Sequence, residues 1–187
     1  MGLFDSINKS TGVIKKKSDN QRVVNLMKNP PKERTVPTIR NFERNSRHQA
    51  DLLFLPEDSK TKDRYALVIV DTTTRYADAE GIPDKEPSTV LAAMKKIYNR
   101  SFLSKPTVAF ETDDGSEFTK EVQSYLKANN IQHKIARAGR SRQVALAEYL
   151  NYIIGKSVYA KQHQEEWKTG TRNKDWVGIL FKNREGV

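Results

Sequence analysis

Three carboxylates stand where this sequence gives an ionised side chain chemistry to do. Asp51 falls inside the apolar run Ala50 to Leu55, where a charge is costly unless it meets a cation or several hydrogen-bond donors. Asp113 follows a second apolar run, Thr107 to Phe110, within Thr112-Asp113-Asp114-Gly115-Ser116. There Gly115 lets the chain turn and Ser116 is placed to cap a helix. A turn accounts for one acid, and two are present. If the two runs are neighbouring strands, their backbones lie about 4.8 Å apart, and a carboxylate from each can converge on shared metal ions. Glu148, on a later helical stretch, can close such a site. Taken singly, the same residues also read as strand-end caps (Asp51, Asp113) and an exposed helix position (Glu148).

These positions need elements to hold them. Ala50 to Leu55 and Tyr65 to Val70 are short apolar runs between polar turns, the pattern of buried strands, and Arg75 to Ile82 is a weaker third. After Pro87, Ser88 is the expected cap of a helix in which Val90, Leu91, Met94, Ile97 and Tyr98 recur at helical spacing. The fourth strand, Thr107 to Phe110, leads into a helix faced by Phe118, Val122, Tyr125 and Leu126 and ended by Asn129 and Asn130. Ile131 to Ile135 is the fifth strand. Val144 to Tyr159 is a third helix with Leu146, Leu150, Ile153 and Ile154 as its core stripe. The order βββαβαβα predicts a mixed five-stranded sheet flanked by helices. The polar tail from Lys161 ends in the apolar segment Trp176 to Phe181, which docks on a partner or on the domain itself.

With 187 residues, the chain has room for one domain plus extensions. The reading divides it into an extended basic N-terminal arm (1–48), a core (49–160) and a C-terminal tail (161–187). Pro30, Pro31 and Pro37 interrupt the arm, which is too polar to build a core of its own. Thirty-three Lys and Arg against 23 Asp and Glu give a net charge of +10, which favours a polyanionic partner, nucleic acid or an anionic membrane surface. No cysteine and three scattered histidines (His48, His133, His163) exclude a disulfide framework and a Cys/His zinc module. Nothing reaches the roughly 20 apolar residues of a membrane helix, and no signal peptide opens the chain. Met1, Gly2 and Ser6 fit the pattern for myristoylation of Gly2, with Lys15, Lys16 and Lys17 as a second, electrostatic membrane signal. The simpler reading is a basic arm that stays solvated or touches phosphates.

Gln49-Ala50-Asp51-Leu52, then Tyr65 to Asp71 followed by Thr74-Arg75-Tyr76, then Thr112 to Phe118, and finally Glu148 with Asn151 resemble, in order, the catalytic core of retroviral-type integrases. The resemblance spans residues 49 to about 156 and is nearest to integrases of large DNA viruses and Polinton-type elements. It implies an RNase H-like fold. It also implies Asp51, Asp113 and Glu148 as a DDE triad holding two divalent ions, Mg²⁺ or Mn²⁺. Ions about 3.5 to 4 Å apart stabilise both the attacking and the leaving oxygen of a phosphodiester, with no protein nucleophile. On that account His133 is incidental.

The sequence departs from the family pattern in places. Asp113 and Glu148 leave 34 residues between them, close to the family's usual interval. Asp114 replaces the usual Asn, adding a charge that can alter metal affinity or act as a substitute ligand. Tyr152 and Gly155, four and seven residues after Glu148, stand where integrases often carry basic DNA contacts, with Lys156 as partial compensation. Arg137, Arg140 and Arg142 precede Glu148, where they meet DNA phosphates or stay in a solvated loop. Two functions follow. One is a DNA strand-transfer enzyme, by resemblance a homodimer, acting in the host nucleus or cytoplasm. The other is a catalytically silent core adopted by a large DNA virus as a virion component, bound to other virion proteins, or as a DNA-binding module.

Overall fold

The computed structural model describes residues 43–136 and 144–182, with backbone alone at 181 and 182. The basic arm with Gly2, and the loop arginines Arg137, Arg140 and Arg142, lie outside the described residues. Five strands form one sheet: β1 (Arg47–Phe54), β2 (Tyr65–Asp71), β3 (Ala77–Ile82), β4 (Ala109–Thr112) and β5 (Gln132–Ile135). Their spatial order is β3-β2-β1-β4-β5. β1 pairs antiparallel with β2, and β2 with β3; β4 joins β1 in parallel, and β5 joins β4 in parallel. The helices are α1 (Pro87–Asn99), α2 (Glu121–Ala128), α3 (Ala145–Thr169) and α4 (Trp176–Lys182), with a 3₁₀ turn at Ser116–Phe118. This is the predicted mixed sheet with flanking helices.

Strand alternation sorts side chains into two cores. Ala50, Leu67, Ile69 and Phe110 pack with Val90, Met94 and Ile97 of α1 and Val122 and Leu126 of α2. Leu55, Ala66 and Val68 pack on the opposite face with Val158 of α3 and Trp176, Val177, Ile179 and Leu180 of α4. The apolar tail therefore docks on its own domain, one of the two expected alternatives. The Trp176 indole donates to the Pro56 carbonyl at 2.7 Å, and the Val177 amide donates to the Asp58 carboxylate at 3.0 Å.

Several elements depart from expectation, each for a local reason. β1 begins at Arg47, within the stretch assigned to the arm, because the wholly buried His48 finds polar partners in Tyr98 and Asn45. Ser88 is not the cap of α1: Pro87 is the first helical residue, where its missing N–H costs nothing, and Glu86 precedes it. β4 runs two residues later than expected, to Thr112. The buried line of α3 is Ala147, Asn151, Gly155, Val158 and Gln162, not the larger apolar residues. Leu150 and Ile154 flank that line, and Ile153 is exposed. α3 also runs on to Thr169, where Gly170 takes the left-handed conformation (φ 66°) and its N–H reaches Glu166 O.

Candidate active site

The register explains why two acids meet. The β1–β4 pairing ends with Gln49 opposite Glu111. Asp51 and Asp113 each lie two residues farther along, so both return to the same sheet face beyond the last pairing. Ala50 and Phe110 point into the α1–α2 core, so Gln49, Asp51, Glu111 and Asp113 belong to the α3 face. Thr112 and its neighbour on β5 fix the backbone there: the Thr112 hydroxyl is 2.9 Å from His133 Nε2 and 2.8 Å from the Asp113 carbonyl.

Two polar bridges tie the start of α3 to β1. The Gln49 amide donates to Glu111 Oε2 at 3.2 Å, and its Oε1 accepts from the Leu146 N–H at 3.2 Å. Glu111 is held in turn by Arg47 at 3.5 Å. Nearly two turns into the helix, Asn151 Nδ2 donates to Asp51 Oδ2 at 2.8 Å, while the Leu52 N–H donates to Asp51 Oδ1 at 2.8 Å. Glu148 lies between these two anchors in sequence, in the first turn of α3. Asn151 Oδ1 is buried and has no hydrogen-bond partner among the described residues.

Electrostatics single out Asp51. Burial pushes its carboxyl up from 3.8 to about 6, and the negative charges of Asp113 and Glu148 add to the rise, against the lowering effect of the Leu52 and Asn151 hydrogen bonds. Like charges that raise a neighbour's pKa are the situation a cation relieves. Hard carboxylate oxygens suit Mg²⁺ or Mn²⁺, so the donor set fits in its chemistry. Among the described residues, however, no three acidic, His or Cys side chains stand at ligating distance. Asp51 is half-buried while Asp113, Asp114 and Glu148 are exposed.

The structure therefore brings Asp113 and Glu148 within electrostatic reach of Asp51 without closing the three predicted acids on a point. Lys156 is exposed on α3, its ammonium 4.6 Å from the Tyr152 ring centroid. Glu111 and Arg47 escaped the sequence reading. Their signal was present: Gln49 and Glu111 stand two residues before Asp51 and Asp113, on the same face.

Residues 43–141 match the family model described as the integrase core domain. This chain belongs to the integrase core family. The match covers all five strands and stops short of α3, so Glu148 is joined to the other two acids by the geometry above. No curated protein matches the chain in sequence.

Solved integrase structures share the fold. A chain of the simian T-cell lymphotropic virus intasome, in complex with PP2A regulatory subunit B56 gamma, aligns with a TM-score of 0.60 at 17% identity. The alignment covers 75% of this chain and 48% of that one, so the integrase-like chain spans about half the length of that relative. The HTLV-2 integrase catalytic core domain in complex with magnesium aligns in its trimeric form with a TM-score of 0.56 at 20% identity, covering 75% of this chain and 85% of that one. Its dimeric form gives the same score and identity, with 86% of that chain covered.

Proposed function

We propose that this integrase-family core is a metal-dependent polynucleotidyl transferase acting on DNA, with Asp51, Asp113 and Glu148 as the residues that would hold two Mg²⁺ or Mn²⁺ ions. The observation that carries the reading is the half-buried Asp51, whose pKa is raised with help from those two other acids on a fold that the HTLV-2 magnesium complex shares. Bound there, the metal pair would activate water or a DNA 3′-hydroxyl and support the departing oxygen. The chain's own work is positional. Asn151 and the Leu52 N–H aim the Asp51 carboxylate, and the Gln49–Leu146 bridge seats the helix that carries Glu148. Arg137, Arg140, Arg142 and Lys156 are assigned to DNA phosphates, and a homodimer is expected.

We infer a finer placement, nearest the integrases of large DNA viruses and Polinton-type elements, from the resemblance of the sequence motifs alone. That reading puts its activity in the host nucleus or cytoplasm. Membrane contact through Gly2 has only the N-terminal sequence pattern in its favour.

The test is Mn²⁺-dependent phosphoryl transfer on a branched DNA substrate, which requires no known terminal sequence, with Glu148→Gln as control. Activity in the wild-type protein that disappears in the control is the expected result. A folded wild-type protein that binds DNA yet leaves the substrate intact overturns the catalytic reading.

A second reading has one observation in its favour: the acids are gathered without reaching ligating distance. It holds that the core is a silent component of a virion. Mass spectrometry of purified particles checks this, and absence of the chain from them sinks it.

A further inference from the structure

We propose a second nucleic-acid contact on the far side of the sheet from the carboxylates, in the groove between α1 and α2, gripping the phosphodiester backbone through Lys95, Lys105 and Lys120. The groove has a volume of about 490 Å³ and is lined by Leu91, Lys95, Lys120, Glu121, Ser124 and Tyr125. Lys95 from α1 and Lys105 from the loop before β4 place their ammonium groups 5.4 and 5.6 Å from the centroid of the same Tyr125 ring. Lys105 is further fixed by donating to Asn129 Oδ1 at 3.0 Å. Two cations are thus drawn to one ring.

The contrast with their neighbours carries the inference. Cations of α1 and its C-cap that face β3 are matched by acids: Lys96 pairs with Glu80, and Arg100 pairs with both Asp78 and Glu80. Among the described residues, Lys95, Lys105 and Lys120 have no carboxylate within ion-pair distance. Glu121 is the one acid among the lining residues, against two lysines there and a third on the Tyr125 ring. Lys95 and Lys105, held by the Tyr125 ring and, for Lys105, by the Asn129 amide, are pre-ordered for a polyanion because less side-chain entropy is lost on binding, and Lys120 adds a third unpaired charge beside them. A chain of phosphates matches several fixed cations at once, as one small anion does not. α1 and α2 pack on the Ala50 face, whereas Asp51 belongs to the α3 face. Nucleic acid held here is consequently a segment other than the one at the carboxylates. The choice of nucleic acid over another polyanion rests on the proposed DNA-processing function.

The experiment is fluorescence-anisotropy titration of the full chain with a labelled DNA duplex in EDTA, over a salt series, so that neither metal nor catalysis enters. Replacing Lys95, Lys105 and Lys120 by Gln should reduce the slope of log K against log salt by roughly 0.9 for each lysine, about 2.7 for all three. Replacing them by Arg should restore the slope, and Glu121→Gln should strengthen binding. Thermal unfolding of each variant establishes that it is folded. Wild-type binding with an unchanged slope in a folded triple-Gln variant overturns this contact and leaves the carboxylate reading intact. Failure of the wild-type protein to bind duplex, or binding only to anionic lipid vesicles or an acidic peptide, also overturns it. The strand-transfer assay then judges the carboxylates separately.

Discussion

Replacing Asp51 by Asn should stabilise the metal-free protein, although the substitution removes a residue central to the proposed chemistry. The folded-state pKa of Asp51 is about 6 against 3.8 ordinarily, so the native state holds this proton more tightly than the unfolded chain does. The sign follows from linkage. Well below pH 4 both states are protonated and Asp51 contributes nothing. Between about pH 4 and 6 the unfolded chain ionises first and stability falls, and above pH 6 the full cost remains.

At about 1.4 kcal/mol per pKa unit the ceiling is roughly 3 kcal/mol, and solvent screening at this half-buried site brings it to about 1–2 kcal/mol. An Asn amide in place of Asp51 Oδ2 can donate to Asn151 Oδ1 once the Asn151 amide turns over, exchanging the present bond from Asn151 Nδ2 for one of opposite direction. Urea unfolding at pH 4, 6 and 8 in EDTA reads the difference. The variant should match the wild type at the lowest pH and exceed it by about 1–2 kcal/mol at pH 8. Adding Mg²⁺ should then stabilise the wild type selectively, by RT ln(1 + [Mg²⁺]/Kd). A variant less stable than wild type at pH 8 in EDTA would refute the electrostatic account of the site.

His48 titrates in the opposite sense. Burial lowers its pKa to about 4, against the pull of the Asp71 charge, so its contribution is lost as pH falls from about 6.5 towards 4. Because Asp51 offsets part of that loss in the wild type, Asp51→Asn should show the steeper acid decline in urea midpoints between pH 7 and 4; parallel curves would contradict this. Trp176→Ala should destabilise by about 3–5 kcal/mol through lost packing and the orphaned Pro56 carbonyl, and Trp176→Phe by less, both measured by chemical unfolding. Gly155→Ala should raise stability by roughly 0.5–1 kcal/mol, since an added Cβ would meet its nearest neighbour, Leu53 Cδ1, at an ordinary 4.0 Å. A drop in melting temperature for that variant would mean the helix lies closer to β1 than described.

The strands and the facing of the acids were legible because alternation is a local property. Once Ala50 and Phe110 are assigned to one core, Asp51 and Asp113 must face the other. What escaped the sequence depends on distant partners. His48 looks like loop until Tyr98 and Asn45 arrive to satisfy it. The buried line of α3 misleads because the face that meets the sheet is set by partners far along the chain: Asn151 bonds Asp51 and Val158 joins the Leu55 core, which leaves Ile153 exposed. Of the candidate site, the three acids were chosen by type, setting and family resemblance, and the structure places Asp113 and Glu148 where their charges act on Asp51. Their supports could not be picked out, since the Gln49–Glu111 and Asn151–Asp51 bonds join residues 62 and 100 positions apart.

The two cores are also divided in time. The sheet and its α1–α2 layer occupy residues 47–135, whereas the layer carrying Glu148 is made from α3 and α4, residues 145–182. During synthesis the first layer leaves the ribosome complete while Ala66, Val68 and Ala79 still await their cover. Glu148 emerges soon afterwards, but the helix bearing it is not clamped until Trp176 follows. The apolar sheet face of Ala66, Val68 and Ala79 is thus covered only by residues made after the sheet itself, and the helix that bears Glu148 shares its packing with a segment that follows it.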